Sequence, residues 1–280
     1  MTDPIEAVVD IVAETAPEVQ SGLAGRRVYD SDENPSGERQ LEADVYADEL
    51  LAERLLDIDS VGSYASEERQ DILESEGDLH VACDPLDGSS NLRSNNAMGT
   101  LFGVYEEPLP APGSALVAAG YVLFGPITTM VVAREGSVSE WVIDGDGREK
   151  IADDLRLPEE PTVYGFGGRA PEWTDAFAGY VDEVEGELKL RYGGAMIGDV
   201  NQVLTYGGVF GYPGLRDRPE GKLRLLFEGH PIGYIVESAG GASSNGERSL
   251  LACDPDELHE RTPVFVGDES YVDRLEAALS

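Results

Sequence analysis

The chain has 280 residues, room for one large domain or two of ordinary size. Asp and Glu number 55 against 20 Lys and Arg, a formal charge of −35, while 41% of residues are apolar. That balance excludes a disordered acidic chain, which lacks the apolar content for a core, and speaks against nucleic acid and anionic membranes, which call for Lys and Arg clusters. Only three of the basic residues are lysines, Lys150, Lys189 and Lys222, and the acid is spread along the whole chain. Such a coat suits a protein adapted to high salt, where the Debye length falls to about 3 Å near 1 M and self-repulsion is screened. Two cysteines, Cys83 and Cys253, make no disulfide framework, and the N-terminus lacks a signal-peptide pattern, so a cytoplasmic setting is expected.

Ile5, Val8, Val9 and Val12 sit at helical spacing and predict a first helix over 4–22. Gly25 to Gly37 reads as a loop, and Val45, Leu50, Leu51, Leu55 and Leu56 mark a second helix over 38–56. Ser66 to Gln70 starts a short helix or turn. Leu79 to Cys83 reads as a strand that stops at Asp84-Pro85. Residues 101–105, 114–124, 127–134 and 137–143 continue as a sheet, with Gly125-Pro126 as one turn and Asp144 to Gly147 as another. Its uncharged stretch, Pro108 to Ala133, is broken by glycines and alternates in β-branched residues, so it reads as buried strands and not a membrane span. Residues 149–161, with Pro158 and Pro161, look like a connector, dividing the chain into lobes 1–157 and 158–280. Beyond it the pattern predicts a strand at 162–167, a helix at 171–184, a strand at 187–192, a helix at 196–206 and a strand at 208–212. A loop over 213–221 precedes a helix over 223–239 that Pro231 delays or breaks, and a last helix covers 268–279. Strands and helices alternate without a repeat, which places the chain in the layered α/β or α+β class.

The sharpest local feature is Asp84-Pro85-Leu86-Asp87-Gly88-Ser89-Ser90-Asn91. Pro85 fixes the backbone between two carboxylates, and Gly88 permits a tight turn. Asp84, Asp87 and the Leu86 carbonyl can face one hard cation such as Mg²⁺, and the serine turn offers N–H groups and hydroxyls to a phosphate. The competing reading is an Asp-rich turn with Ser capping a helix. Ser66-Glu67-Glu68 is a second candidate, but Glu106-Glu107 and Glu159-Glu160 are equally paired, and such pairs are ordinarily solvated surface. Lys222, kept in a lysine-poor chain, is a candidate anion ligand, and Glu228 ends an apolar run where a carboxylate needs a partner or a metal. Arg191-Tyr192 and Tyr212-Pro213 end two predicted strands, where an Arg fork and Tyr hydroxyls suit a sugar phosphate or, alternatively, packing. His80, His230 and His259 form no ligand cluster, and Cys83 reads as core.

Taken together, these segments resemble class I fructose-1,6-bisphosphatase, within the lithium-sensitive, metal-dependent sugar and inositol phosphatases. The matching motifs run from Gly37-Glu38 with Asp44-Val45, through Ser66-Glu67-Glu68, the block 84–91 with Gly99 to Gly103, Tyr192 to Met196 with Asp199-Val200, and Tyr206 to Phe210 with Tyr212-Pro213, to the block 221–241. The resemblance, with the composition, implies an enzyme of a halophilic archaeon. It implies an α+β fold layered α-β-α-β-α, with two mixed sheets between helical layers. The activity it implies is hydrolysis of the 1-phosphate of fructose 1,6-bisphosphate in gluconeogenesis. Glu67, Asp84, Asp87, Glu228 and the Leu86 carbonyl would hold two or three Mg²⁺, with Mn²⁺ as an alternative. Gly88, Ser89, Ser90 and Asn91 would meet the cleaved phosphate. Glu68 would activate water, supported by Glu49, and Tyr192, Met196, Tyr212 and Lys222 would hold the sugar and the other phosphate. Arg191 would reach into a neighbouring subunit, which implies a homodimer or homotetramer. The partner implied is a small sugar bisphosphate, with neither nucleic acid nor membrane.

The sequence departs from the family in three places. Glu49 stands where the family has Asp, Gly165-Phe166-Gly167-Gly168-Arg169 replaces an Asn-Glu-Gly stretch, leaving Arg169 as the substitute phosphate contact, and the shortened loop before Asp84 carries Asp78 and Leu79 where nucleotide contacts would be, so AMP inhibition is not expected. Other readings are the same chemistry on sedoheptulose 1,7-bisphosphate or an inositol monophosphate, a catalytically dead sugar-phosphate-binding regulator, and an acidic interaction protein.

Overall fold

A computed structural model describes residues 3–33, 39–145 and 147–280. Helix α1, Pro4–Gly22, starts where the Asp3 carboxylate accepts from the Ile5 N–H at 3.0 Å with Pro4 behind it. The loop expected over 25–37 contains a strand, β1 (Tyr29–Glu33), paired antiparallel with β2 (Arg39–Leu41); Gly37 and Glu38 lie outside the described residues. Helix α2, Glu42–Leu56, therefore begins later than predicted, and Asp44 closes its first turn by accepting from the Leu41 N–H at 2.6 Å. Next come β3 (Val61–Ser66), which the sequence reading lacked, β4 (Leu73–Glu74), β5 (Leu79–Asp87) and the short helix α3 (Asn91–Ser94). The strands β6 (Met98–Tyr105), β7 (Leu116–Phe124), β8 (Thr128–Arg134) and β9 (Ser137–Asp144) follow the predicted meander. Part of the expected connector is instead β10 (Gly147–Ala152), an edge strand whose Arg148 reaches Asp10 of α1 at 2.7 Å.

The second half holds β11 (Val163–Phe166), α4 (Asp175–Val184), β12 (Lys189–Leu190), α5 (Met196–Tyr206), β13 (Gly208–Tyr212) and β14 (Leu223–Arg224). The long helix expected over 223–239 begins as β14, passes through a π-helical turn at Leu225–Gly229, and becomes α6 only at His230–Ser238. Pro231 sits in its first turn, where a missing N–H costs nothing, so proline starts this helix and does not break it. Strands β15 (Ala242–Ser244), β16 (Arg261–Thr262) and β17 (Val264–Gly267) precede α7, Glu269–Leu279.

An eight-stranded sheet, ordered β10-β9-β8-β7-β6-β5-β3-β4, is antiparallel except where β3 meets β5. A five-stranded sheet, ordered β12-β11-β13-β17-β15, pairs β11 in parallel with β12 and β13 and is antiparallel elsewhere. Val8, Val9, Val12 and Val19 of α1 and Leu51 and Leu55 of α2 bury their faces on one side of the large sheet. Helices α5 and α6 fill the space between the sheets and touch strands of both, with Ile197, Val200, Ile232 and Val236 buried in the shared core. Phe177 and Tyr180 of α4 and Tyr271 and Leu275 of α7 cover the outer face of the small sheet. The order is thus α-β-α-β-α, an α+β fold with two mixed sheets between helical layers. Each buried Val, Leu, Ile or Phe contributes on the order of 1.5–3 kcal/mol. Because the central cluster spans both halves, the site below is assembled from both.

Candidate active site

The large sheet ends in a row of carboxylates. Ser66 pairs with Cys83 across parallel β3 and β5, and the Glu67 N–H donates to the Cys83 carbonyl at 3.1 Å, extending the ladder one residue. Glu67 thus leaves β3 at the level where Asp84 stands on β5. The predicted end of β5 at Cys83 is not seen; the strand continues through a bulge. Asp84 pairs with Leu101 and Asp87 with Gly99, so three steps on β5 match two on β6. In a regular strand, residues three apart face opposite sides. The extra residue turns Asp84 and Asp87 into the same cavity. Pro85 is tolerated in the bulge because no ladder N–H is required there, and its carbonyl accepts from Thr100 Oγ1 at 2.9 Å.

Gly88 then turns the chain at φ +73°, and a Cβ there would stand 2.1 Å from the Ala195 Cβ, so glycine is needed twice over. Ser89 and Ser90 follow at the cavity wall, as do Leu86 and Glu68. The Asp87 Oδ2 accepts from the Ile197 N–H at 2.7 Å, satisfying an otherwise orphaned donor at the start of α5 and leaving its other oxygen to the cavity. Glu228 arrives from the π-helical turn, a deviation often found at functional sites. Its Oε2 accepts from the Arg224 N–H at 2.6 Å. The Arg224 side chain, 2% exposed, pairs with Glu67 at 2.9 Å.

Carboxylate oxygens of Glu67, Asp84 and Glu228 lie within 4.8 Å of one another, and all three residues are buried. Burial, then the neighbouring Glu67 charge, raises Asp84 and Glu228 well above the usual carboxylate range. Asp87 is pushed up to about 7 by burial, against the pull of the Ile197 N–H. A buried cluster of this kind needs protons or a cation. The donors are all hard oxygens, which fits a divalent ion of the Mg²⁺ or Mn²⁺ type.

The cavity measures ≈ 520 Å³, and Tyr212, Met196 and Lys222 also line it. Tyr192 and Tyr212 share a hydroxyl hydrogen bond at 2.6 Å, and the Lys222 Nζ stands 5.8 Å from the Tyr212 ring centre. Arg191 does not line the cavity; it is exposed, near Gln202 at 3.3 Å and over the Tyr206 ring.

Besides Arg191, and Tyr192, which is 44% exposed and outside the cavity wall, three expected contacts lie elsewhere. Glu49 is exposed on α2, because five helical residues after Asp44 the face has rotated about 140° away. Asp44, 3% exposed, lines the cavity in its stead, its carboxyl raised to about 7, first by burial. Asn91 is buried behind the serine turn, where its amide donates to the carbonyls of Ala97 at 2.8 Å and Gly193 at 3.0 Å. It ties the turn to the loop before α5. Arg169 is 83% exposed and paired with Glu172 at 3.1 Å, outside the cavity wall. Besides Asp44, the sequence reading missed Arg93 and Arg224 as cavity residues. The signal for Asp44 was its place in the first turn of α2, on the face that leads to Asp48 and Leu51.

Among the described residues no helix is long and apolar enough to cross a membrane. The family profile described as "Fructose-1-6-bisphosphatase, N-terminal domain" matches residues 13–151, and its C-terminal-domain counterpart matches residues 157–280. The chain is 73% identical to a "Fructose-1,6-bisphosphatase class 1" of Natronomonas pharaonis over 100% of both chains. It is 58% identical to one of Halobacterium salinarum over 100% of this chain and 98% of the other. Among solved structures, Leishmania major fructose-1,6-bisphosphatase in holo form is similar with a TM-score of 0.94 and 28% identity, covering 100% of this chain and 95% of that one.

Proposed function

We propose the following reaction from one premise: the chain belongs to the class 1 fructose-1,6-bisphosphatase family. It is a phosphoric monoester hydrolase that converts fructose 1,6-bisphosphate and water to fructose 6-phosphate and inorganic phosphate, a step of gluconeogenesis. The observation that carries the reading is the convergence of Glu67, Asp84 and Glu228, with Asp87 nearby, beside the Gly88-Ser89-Ser90 turn in one cavity. Family members depend on a metal. Here Glu67, Asp84, Asp87, Glu228 and the Leu86 carbonyl would hold Mg²⁺, which, when bound, supplies Lewis-acid neutralisation of phosphate oxygens and a more acidic water.

The residues of the chain do the rest. Ser89 and Ser90, with the N–H groups of their turn, receive the 1-phosphate and stabilise charge on its oxygens. Lys222 and Tyr212, with Tyr192 hydrogen-bonded to Tyr212, hold the 6-phosphate, and Met196 packs against the sugar. Glu68 lines the same cavity as the serine turn and meets the 1-phosphate there. Glu68 accepts a proton from the attacking water as its oxygen bonds to phosphorus and the bond to the sugar oxygen breaks, and a proton passes to that departing oxygen to complete the hydroxyl. Asp44, beside Ser89, replaces Glu49 as the second carboxyl in proton handling. The metal and cleaved-phosphate groups belong to 1–157, save Glu228, and the sugar-phosphate groups to 158–280. Arg191 serves a neighbouring copy in a cytoplasmic homo-oligomer.

The test is phosphate release from fructose 1,6-bisphosphate with and without Mg²⁺ in molar KCl, beside a panel of phosphate esters. Mg²⁺-dependent release highest on fructose 1,6-bisphosphate is expected. Preference for sedoheptulose 1,7-bisphosphate or an inositol monophosphate would move the substrate, and no release from any ester would leave a binding protein.

A further inference from the structure

Glu67 and Glu68 are adjacent, yet the fold secures them differently. Glu67 is held by the sheet ladder through the Cys83 carbonyl and by Arg224. Glu68 stands one residue beyond the ladder, in a turn closed by the Glu68 N–H on Ser66 Oγ at 3.1 Å and the Arg69 N–H on the Ser66 carbonyl, also at 3.1 Å. A two-bond turn at a strand end is a weak mount for a group that must meet a water within a fraction of an ångström. The next residue, Arg69, is gripped from two sides. Its Nε pairs with Asp48 Oδ2 at 2.6 Å, the Asp48 side chain is 4% exposed, and the other Asp48 oxygen accepts from the Tyr64 hydroxyl at 3.0 Å. Its carbonyl accepts from His259 Nε2 at 2.8 Å, across 190 residues of sequence. A carbonyl cannot donate, so His259 carries its proton on Nε2.

We propose that Arg69 is the positioning residue for Glu68, clamping its turn between α2 and the loop before β16. One jaw belongs to a helix that carries a site carboxylate, and the other packs against the turn that carries a second. Asp48 lies one helical turn after Asp44 on α2. His259 packs its ring 5.2 Å from that of Phe227, the neighbour of Glu228. Arg69 therefore fixes Glu68 relative to Asp44 and Glu228 together, which neither β3 nor the turn alone can do. The pair with Asp48 is largely shielded from solvent on the acidic side, so it survives the high salt that screens surface pairs. The inference rests on Glu68 as the proton acceptor proposed above.

The test compares wild type, Arg69→Lys, Arg69→Met and the double variant Asp48→Asn with Arg69→Met, in molar KCl. It reads kcat, KM, Mg²⁺ half-saturation, the thermal midpoint and amide exchange at residues 67–69. Arg69→Met is expected to lower kcat by about 10²-fold, the effect of misplacing a catalytic group by roughly 1 Å. KM and Mg²⁺ half-saturation should stay put, because Lys222, Tyr212 and Glu67 are secured independently. Exchange at Glu68 and Arg69 should quicken while Glu67 stays protected. Arg69→Lys should recover part of kcat, having the charge but not the fork. The double variant leaves no unpaired buried carboxylate, so it should melt near wild type and still lose kcat. Wild-type kcat and exchange in the Met variants would overturn the proposal. So would a parallel loss of kcat, Mg²⁺ affinity and thermal midpoint, the mark of general loosening. A wild-type protein inactive on fructose 1,6-bisphosphate would sink the functional reading alone, and the exchange rates would still decide whether Arg69 fixes the turn.

Discussion

Glu67-Glu68 and Glu159-Glu160 are the same dipeptide in the same chain. One pair sits at the end of a parallel strand pair, with Glu67 8% exposed; the other lies exposed in the segment between β10 and β11. At the surface a carboxylate is solvated and contributes to a charge of −35 that salt screens. In the cavity, Glu67, Asp84, Asp87 and Glu228 are buried side by side, and burial followed by mutual repulsion raises the last three. Acid at the surface is a solvent adaptation. Acid in the cavity is stored unfavourable electrostatics that a cation relieves.

The contrast can be broken most forcefully at the ligands. Asp84→Asn or Glu67→Gln should reduce Mg²⁺-dependent phosphate release by at least on the order of 10²–10³-fold, with an intact circular dichroism spectrum. Full activity in either variant would remove it from the metal site. Asp44→Asn should follow, with a kcat loss of about 10²-fold for a group engaged in proton handling. Unchanged steady-state rates would return Asp44 to a purely structural role at the Leu41 cap.

Acidity sharpens the comparison next. Asp44 and Asp87 hold protons up to about pH 7 in the folded, metal-free chain, against an ordinary value of 3.8. Between those pH values the folded state binds more protons than the unfolded one, so stability present at low pH is lost as pH rises through about 7. Chelated protein should therefore melt lower at pH 8 than at pH 5, and Mg²⁺ should raise the midpoint more at pH 8. Equal Mg²⁺ effects at both would contradict a cavity that trades protons for a cation. Lys222→Ala should raise KM about tenfold with little change in kcat, since one charge-assisted hydrogen bond contributes roughly 1.5–3 kcal/mol and the phosphate is bound in both ground and transition states. An unmoved KM would take Lys222 out of the substrate wall. The smallest effect belongs to the exposed face: Glu49→Gln should leave the rate unaltered and shift stability by less than about 0.5 kcal/mol, and a catalytic defect there would revive it over Asp44.

Much of this molecule is legible in one dimension. Alternating β-branched residues mark β7 to β9, and the spacing of Val8, Val9 and Val12 marks α1, because periodicity records which face is buried. The motif from Asp84 to Ser90 is local, so proline, glycine and paired acids announce it. The helix that Pro231 enters was legible only in part, since a proline reads alike as an ending or a beginning.

What the letters could not decide is which acids meet. Asp44 and Glu49 differ by a helical rotation that matters only once α2 docks on the sheet. Glu68 matters because β3, unseen in the pattern, runs parallel to β5 and ends at its level. Arg69 looks like any surface arginine until Asp48 and His259 close on it from either side. Composition and local spacing set the elements, the salt adaptation and the kind of chemistry available. Only packing, which brings together residues separated by up to 190 positions, chose the members of the site, because burial and mutual proximity are properties of the folded arrangement.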